Sequence, residues 1–188
     1  MSKKEKKTSN PERLVLALIE NAHFEESLVL LDDLEKSESS GMSKTIWLYA
    51  RALATFGLAH SKSSEPDLKP ANAILHQAFT CNNFVLPLMV SRVNEVSNKI
   101  KSPKISKSSN SNKMSAYAAK GGKATAQGEA AKYIDLWFGS WLQTENAFDW
   151  LGNQFVEWTR VTREARLRAQ QEQMIANAQK LDIDFFLN

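Results

Sequence analysis

The chain is poor in cysteine: Cys81 is the single example among 188 residues. No intramolecular disulfide can form, and no pair of cysteines exists to hold a structural zinc ion. This composition fits a reducing compartment, and we predict a cytoplasmic protein. With 43% hydrophobic residues the chain can still bury a sizeable core, so global disorder is not expected.

Long apolar runs are also missing. The longest are Leu14–Ile19 and Phe84–Val90, whereas a membrane-spanning helix needs about 20 apolar residues. The basic start MSKKEKKTSNPER is not followed by the apolar stretch of about 7–15 residues that a secretory signal requires. We therefore predict neither membrane insertion nor export.

Acidic residues are absent from one long interval, between Glu95 and Glu129, which holds seven lysines. The first eight residues carry four lysines against Glu5. Because the whole chain has a formal net charge of +3, removing these two basic segments leaves a net charge of −7 for the rest. The pattern predicts a mildly acidic folded body with two flexible basic segments.

Apolar side chains recur at helical spacing over residues 9–100, behind a predicted disordered arm at 1–8. Pro11 and Glu12 suit a first helix at about 11–21, and Phe24, Leu28 and Leu31 mark a second at about 24–36. A third helix begins after Ser43, His60–Lys69 is predicted as a loop, and Pro70 opens a fourth helix that ends at Asn82-Asn83. A fifth begins near Pro87.

The periodicity fails over residues 101–126, which are rich in Lys and Ser and predict a flexible linker. It returns over 127–181 as a helical hairpin whose second helix runs to about residue 180. This pair either extends the N-terminal helices or folds across them. Residues 182–188 form a tail that is both apolar and acidic. The predicted fold class is all-α, with an antiparallel helical array and a long C-terminal helix.

Three segments resemble tetratricopeptide-like repeats in their small and aromatic residues. They are Tyr49–Gly57, Ala73–Ala78 and Asn82–Met89. A later block, which includes Gly128–Ala130, Tyr133, Trp141 and Ala147–Leu151, is similar to the region after the repeats in proteins like suppressor of tumorigenicity 7. The resemblance implies a stacked helical scaffold that binds other proteins and has no active site.

Chemistry-bearing residues do not converge in the sequence. His23, His60 and His76 fall in different elements, and His76 and Cys81 straddle a helix end, which we interpret as a surface histidine and a buried thiol. The adjacent acids Glu25-Glu26 and Asp32-Asp33 point to different sides of a helix and do not predict a metal site. We predict no catalytic, cofactor or metal site. A hydrolase or transferase that uses Cys81 is the least favoured function class.

Partner contacts are instead expected on the small-residue helix, at Trp47, Tyr49 and Arg51. The tail, at Ile183, Phe185 and Phe186, either docks as an extended segment on another protein or folds back onto the core. The tryptophans favour core packing over a stacking platform. The predicted function is an adaptor that binds another protein. The sequence leaves open the identity of that protein and the oligomeric state of this chain.

The alternative function is a nucleic-acid-associated accessory protein that contacts phosphates weakly through its lysine-rich segment. The candidate contacts are Lys101, Lys104, Lys107, Lys113, Lys120 and Lys123. This segment has no arginine and one aromatic residue, Tyr117, so a solvated tether is the preferred interpretation.

Overall fold

A computed structural model describes residues 10–37, 42–101 and 125–187, with side chains over 10–37, 42–93 and 125–173. Seven helices account for most of these residues, and the described ranges contain no strand, which confirms the all-α prediction. The helices are α1 (Pro11–Glu20), α2 (Phe24–Lys36), α3 (Lys44–Lys62), α4 (Lys69–Cys81), α5 (Val85–Lys101), α6 (Ala126–Gln143) and α7 (Ala147–Leu187).

Side-chain caps fix where three of the helices begin. Asn10 accepts a hydrogen bond from the backbone N–H of Glu12 at α1, Ser43 from that of Ile46 at α3, and Thr125 from that of Gly128 at α6. Each satisfies one of the N–H groups that a helix start leaves without an intrahelical partner.

Helix α3 extends further than the sequence predicted, because it continues through His60 to Lys62. No helix breaker occurs before Pro66, and the His60 ring lies 4.4 Å from the ring of Phe56, one turn earlier. The predicted loop is therefore shorter, and α4 begins at Lys69 rather than Pro70. Helix α5 likewise begins two residues before Pro87.

Helix α7 has 41 residues, or about 61 Å at the usual helical rise. It includes residues 182–187, which were predicted as a separate tail. The segment is helical, so it does not have the extended conformation that was one of its two predicted alternatives. In a helix, residues two apart point in different directions and cannot fill alternate pockets along a sheet edge. The side chains of Ile183, Phe185 and Phe186 lie outside the described ones.

Helix α3 is the centre of the packing, in contact with α1, α2, α4, α6 and α7. Ala50, Ala52 and Ala54 are fully buried and let neighbouring helices approach closely. Helix α6 packs against α1, α3 and α5, and α7 packs against α3, α4 and α6. The C-terminal pair therefore folds across the N-terminal helices.

Aromatic rings fill the space between α3, α4, α6 and α7. Tyr133 stacks on Trp137 with ring centroids 5.8 Å apart, and Trp150 stacks on Phe56 at 4.4 Å. Trp137 and Trp141 are fully buried. These indoles therefore belong to the core and cannot form a stacking platform for bases.

No single helix in the described part of the chain has the length and apolar content to cross a membrane. Helix α4 and the first nine residues of α5 have the required length and apolar content only when they are taken together, and their axes meet at 99°.

Candidate partner-binding face

The three predicted contact residues on α3 point in two opposite directions. Trp47 and Arg51 are one turn apart and face α2, where the Trp47 indole donates a 3.1 Å hydrogen bond to the Leu31 carbonyl. Tyr49 is fully buried, and its hydroxyl donates to the Asn82 carbonyl at 2.9 Å. Tyr49 is therefore a core residue and not a surface contact, because α3 is central and buries most of its circumference.

Arg51 links α3 to the acidic side of α2. Its guanidinium donates to Asp32 at 2.5 Å and lies 4.0 Å from Glu35. The same group stands 4.9 Å from the centre of the Trp47 ring, at cation–π distance. Only 24% of the Arg51 side chain is exposed, so its position beside the outer surface of α2 is fixed by these contacts.

The outer surface of α2 combines exposed apolar and acidic side chains. Val29 is 58% exposed, and a shallow groove of about 440 Å³ runs over it. The described residues that line this groove, defined here as the α2 face, are Glu25, Glu26, Val29, Leu30 and Asp33. Spacings of three and four place them on one side of the helix. Glu25 and Glu26 therefore line the same groove, although adjacent acids were expected to point to different sides. The carboxylates lie at both ends of the Val29–Leu30 pair.

Each carboxylate of the α2 face lies near the basic group of one exposed side chain. Glu25 lies 3.8 Å from Lys62, Glu26 lies 3.6 Å from His23, and Asp33 lies 3.9 Å from Lys36. All six side chains are more than half exposed. Exposed pairs of this kind contribute about 0–1 kcal/mol, so an incoming cation can displace them at little cost.

Helix α7 carries the opposite charge on an exposed surface. Arg160 donates to Glu157 at 2.6 Å and to Glu164 at 2.9 Å. The hydrogen bond from Arg160 lowers the pKa of Glu157, and the bond to Glu157 in turn raises the pKa of Arg160. Within the described ranges no carboxylate forms an ion pair with Arg163, Arg166 or Arg168. Their charges are thus available to a partner.

Among the described residues, the side chains of His76 and Cys81 have hydrogen-bond partners other than each other. His76 Nε2 lies 3.1 Å from Gln154 Oε1, and Cys81 Sγ lies 3.9 Å from the hydroxyl of Thr45. His76 and Cys81 both line a shallow groove of about 540 Å³ beside Lys44. Cys81 is exposed, which corrects the buried thiol expected from the sequence. Its helix ends there, and the side chain faces this groove.

A buried polar junction connects α3, α4 and α6. The Asn82 side-chain amide donates to the Ala126 carbonyl at 2.6 Å and accepts from the Phe84 N–H at 3.1 Å. The Thr45 hydroxyl donates to Glu129 at 3.0 Å. Asn82 and Thr45 are each 2% exposed, so the bonds hold the start of α6 against the end of α4. The junction is structural, since its polar atoms are satisfied internally.

The remaining sequence predictions concern residues that the structure does not describe. Lys104, Lys107, Lys113, Lys120 and Lys123 lie outside the described residues, and so does the basic arm at 1–8. Lys101 is the last residue of α5, without a described side chain. In the part of the chain that is described, no three His, Cys, Asp or Glu side chains are grouped to hold a metal ion.

The chain matches no family model, no curated protein and no solved structure.

The sequence pattern did not identify the acidic surface of α2 as a site. Five carboxylates on one amphipathic helix are typical of a solvated face. Val29 distinguishes this helix from a simple solvated face. It is an apolar residue that lies four positions after Glu25 and four before Asp33, on the same side of the helix. An apolar residue centred among outward acids was the available signal.

Proposed function

We propose that this chain is a non-enzymatic, cytoplasmic protein-interaction module, with helical packing of the tetratricopeptide-like kind, that binds a basic amphipathic segment of another protein on its α2 face. The observation that carries the proposal is the exposed Val29, with Glu25 and Glu26 before it and Asp33 after it.

The chemistry of the α2 face selects its partner. Val29 and Leu30 offer apolar area that another apolar side chain can cover, and the carboxylates at each end favour Lys or Arg over Asp or Glu. A helix with an apolar stripe and flanking cations meets both requirements. Arg51, held by Asp32 and packed over Trp47, stiffens the adjoining edge.

The size of the face sets the expected affinity. Glu25 and Asp33 are eight residues apart, or about 12 Å along the helix. Stable complexes bury about 800 Å² on each partner, and a single helix face supplies less. We expect a transient complex whose affinity weakens as salt screens the charges.

A defined peptide tests this function. The probe is a labelled 18-residue helix with a leucine stripe flanked by arginines, and its binding is measured by fluorescence anisotropy at low and moderate salt. A face variant, Glu25→Gln with Glu26→Gln and Asp33→Asn, removes three charges without changing side-chain size. The matched control, Glu65→Gln with Asp135→Asn and Glu145→Gln, removes three exposed charges elsewhere.

We expect the face variant to bind at least tenfold more weakly and the control to bind within about twofold of the unchanged protein. A version of the peptide with glutamates in place of the arginines should not bind. Equal loss in both variants, or no binding of the arginine peptide, would show that the α2 face is not the site.

A second candidate function is favoured by the acid-free interval between Glu95 and Glu129. Its seven lysines can contact phosphates, and each contact steepens the salt dependence of binding by about 0.7–0.9 log units. An electrophoretic shift with non-specific DNA and RNA, comparing the intact chain with one that lacks residues 102–124, tests it. A shift that disappears with the deletion supports nucleic-acid binding, and no shift in either protein removes this candidate.

A further inference from the structure

The exposed surface of α7 on which Arg163 and Arg166 lie also carries apolar side chains. Val156 is 69% exposed and Leu167 is 54% exposed. Arg163 lies seven residues after Val156 and four before Leu167, which places all three on one side of the helix. Together with Thr159, Arg160 and Glu164, they line a shallow groove of about 490 Å³. We call Val156, Arg163, Arg166 and Leu167 the α7 stripe.

The α7 stripe has the chemistry that the α2 face selects. Both surfaces are exposed helix faces that combine apolar and charged side chains, and their charges are opposite in sign. The α2 face has acids on either side of Val29 and Leu30, and the α7 stripe has its two arginines between Val156 and Leu167. Arg163 and Arg166 have no ion pair with a described carboxylate. The carboxylates of the α2 face have only exposed, weak pairs with Lys62, His23 and Lys36.

The two surfaces belong to different sides of one copy. Helix α2 packs against α1 and α3, whereas α7 packs against α3, α4 and α6. From Arg163 to Gln173 every residue of α7 is exposed. The α7 stripe is therefore exposed on its own chain and is accessible to the α2 face of another one.

Resting on the proposed function of the α2 face, we propose that one occupant of this face is the α7 stripe of a second copy of this chain. Contact between two different surfaces makes the association head-to-tail. Such contacts close into rings when the rotation between copies permits, and otherwise build open chains. Self-association covers the α2 face, so it competes with any other basic segment for the same site.

Charge exchange between the two surfaces tests the inference. One variant reverses the α2 face with Glu25→Lys and Glu26→Lys, a second reverses the α7 stripe with Arg163→Glu and Arg166→Glu, and a third combines all four changes. The matched control is Arg168→Glu, an exposed arginine of the same helix on a different side from Leu167. Sedimentation velocity gives the mass distribution from micromolar to several hundred micromolar protein, and circular dichroism checks that each variant is helical.

We expect the unchanged chain and the Arg168→Glu control to gain mass with concentration, and the dissociation constant to rise as salt is added. Each two-site variant should need at least tenfold more protein to associate. The combined variant should recover most of the association, because its charges are opposite again. Recovery would not follow if the substitutions acted by destabilising the fold.

Two results would overturn the inference. One is an unchanged chain that stays monomeric throughout; if the arginine peptide still binds the α2 face, the proposed function survives and only the second copy is excluded. The other is self-association that the α2 and α7 reversals leave unaltered, which would mean that the copies meet through other surfaces. Failure of the peptide itself would instead remove the proposed function.

Discussion

The hydroxyl of Tyr49 donates a 2.9 Å hydrogen bond to the backbone carbonyl of Asn82, 33 residues further along the chain. The same ring lies 5.3 Å from that of Tyr133 on α6, centre to centre. One side chain thus connects the central helix to the end of α4 and to the C-terminal pair. Buried as it is, this bond should make a measurable contribution to stability.

Replacing Tyr49 with Phe should lower the free energy of unfolding by about 1–2 kcal/mol, because the ring stays packed while the Asn82 carbonyl loses its donor. Urea denaturation followed by tryptophan fluorescence measures the change. The control is Thr80→Ala, which removes an exposed hydroxyl that bonds within its own helix and should cost less than about 0.5 kcal/mol. Equal effects of the two substitutions would contradict the prediction.

Replacing Asn82 with Ala should cost roughly 1–3 kcal/mol, since it leaves the Ala126 carbonyl and the Phe84 N–H without their partner. Amide hydrogen exchange should become faster over residues 126–131, where α6 begins. Asn83→Ala is the neighbouring control, because Asn83 is exposed. If exchange at 126–131 is the same in both variants, Asn82 does not hold this helix.

Replacing Gly57 with Ala should destabilise the fold by about 1–3 kcal/mol. A Cβ at this position would overlap the ring of Phe24, with its Cδ1 atom 2.8 Å away. Gly139 is the matched control, because a Cβ there meets nothing within 4 Å. Gly139→Ala should raise stability by about 0.5–1 kcal/mol, as alanine restricts the unfolded chain more than glycine does. Thermal melts of the two variants should shift in opposite directions.

Alkaline pH should weaken the fold through Tyr49 and Tyr133. Burial raises the pKa of both phenols, and the negative charge that Cys81 can carry adds to the effect at Tyr49. The unfolded chain loses these protons near pH 10 while the folded chain keeps them. The free energy of unfolding should therefore fall above pH 10, by up to about 1.4 kcal/mol per pH unit for each tyrosine.

Urea midpoints between pH 8 and 11 measure this dependence. Because lysines titrate in the same range, the informative quantity is the difference between the unchanged chain and Tyr133→Phe. The variant should show the shallower decline above pH 10. Identical slopes would mean that Tyr133 titrates normally in the folded state.

The positions of the helices could be predicted where local chemistry determines them. Residues 24–36 were predicted for α2 and the structure has the same bounds, since Phe24 and Leu31 set its buried side. Ser43 was correctly placed before α3, and its hydroxyl caps that helix. The errors occurred at His60–Lys62 and at the far end of α7, where polar composition suggested a loop or tail but no residue stops the helix.

The packing of distant segments could not be predicted in the same way. Tyr49 was predicted as a partner contact on the small-residue helix together with Trp47 and Arg51, but α6 covers that side of α3 through Tyr133. Asn82 could be recognised as a helix end, not as the anchor of α6. Which helix covers which face depends on side chains up to 125 residues apart, such as Glu12 and Trp137, and periodicity within one helix contains no such information.

The packing of α6 on α1 has a consequence during synthesis of the chain. Helix α1 is made first, yet one of its covering surfaces is encoded more than a hundred residues later. At about 5–20 residues per second, the ribosome needs several seconds after it has completed α1 to reach α6. During that time the surfaces of α1 and α3 that pack on α6 stay uncovered in the nascent polypeptide, so a slower codon tract before residue 126 would lengthen their exposure to chaperones and proteases.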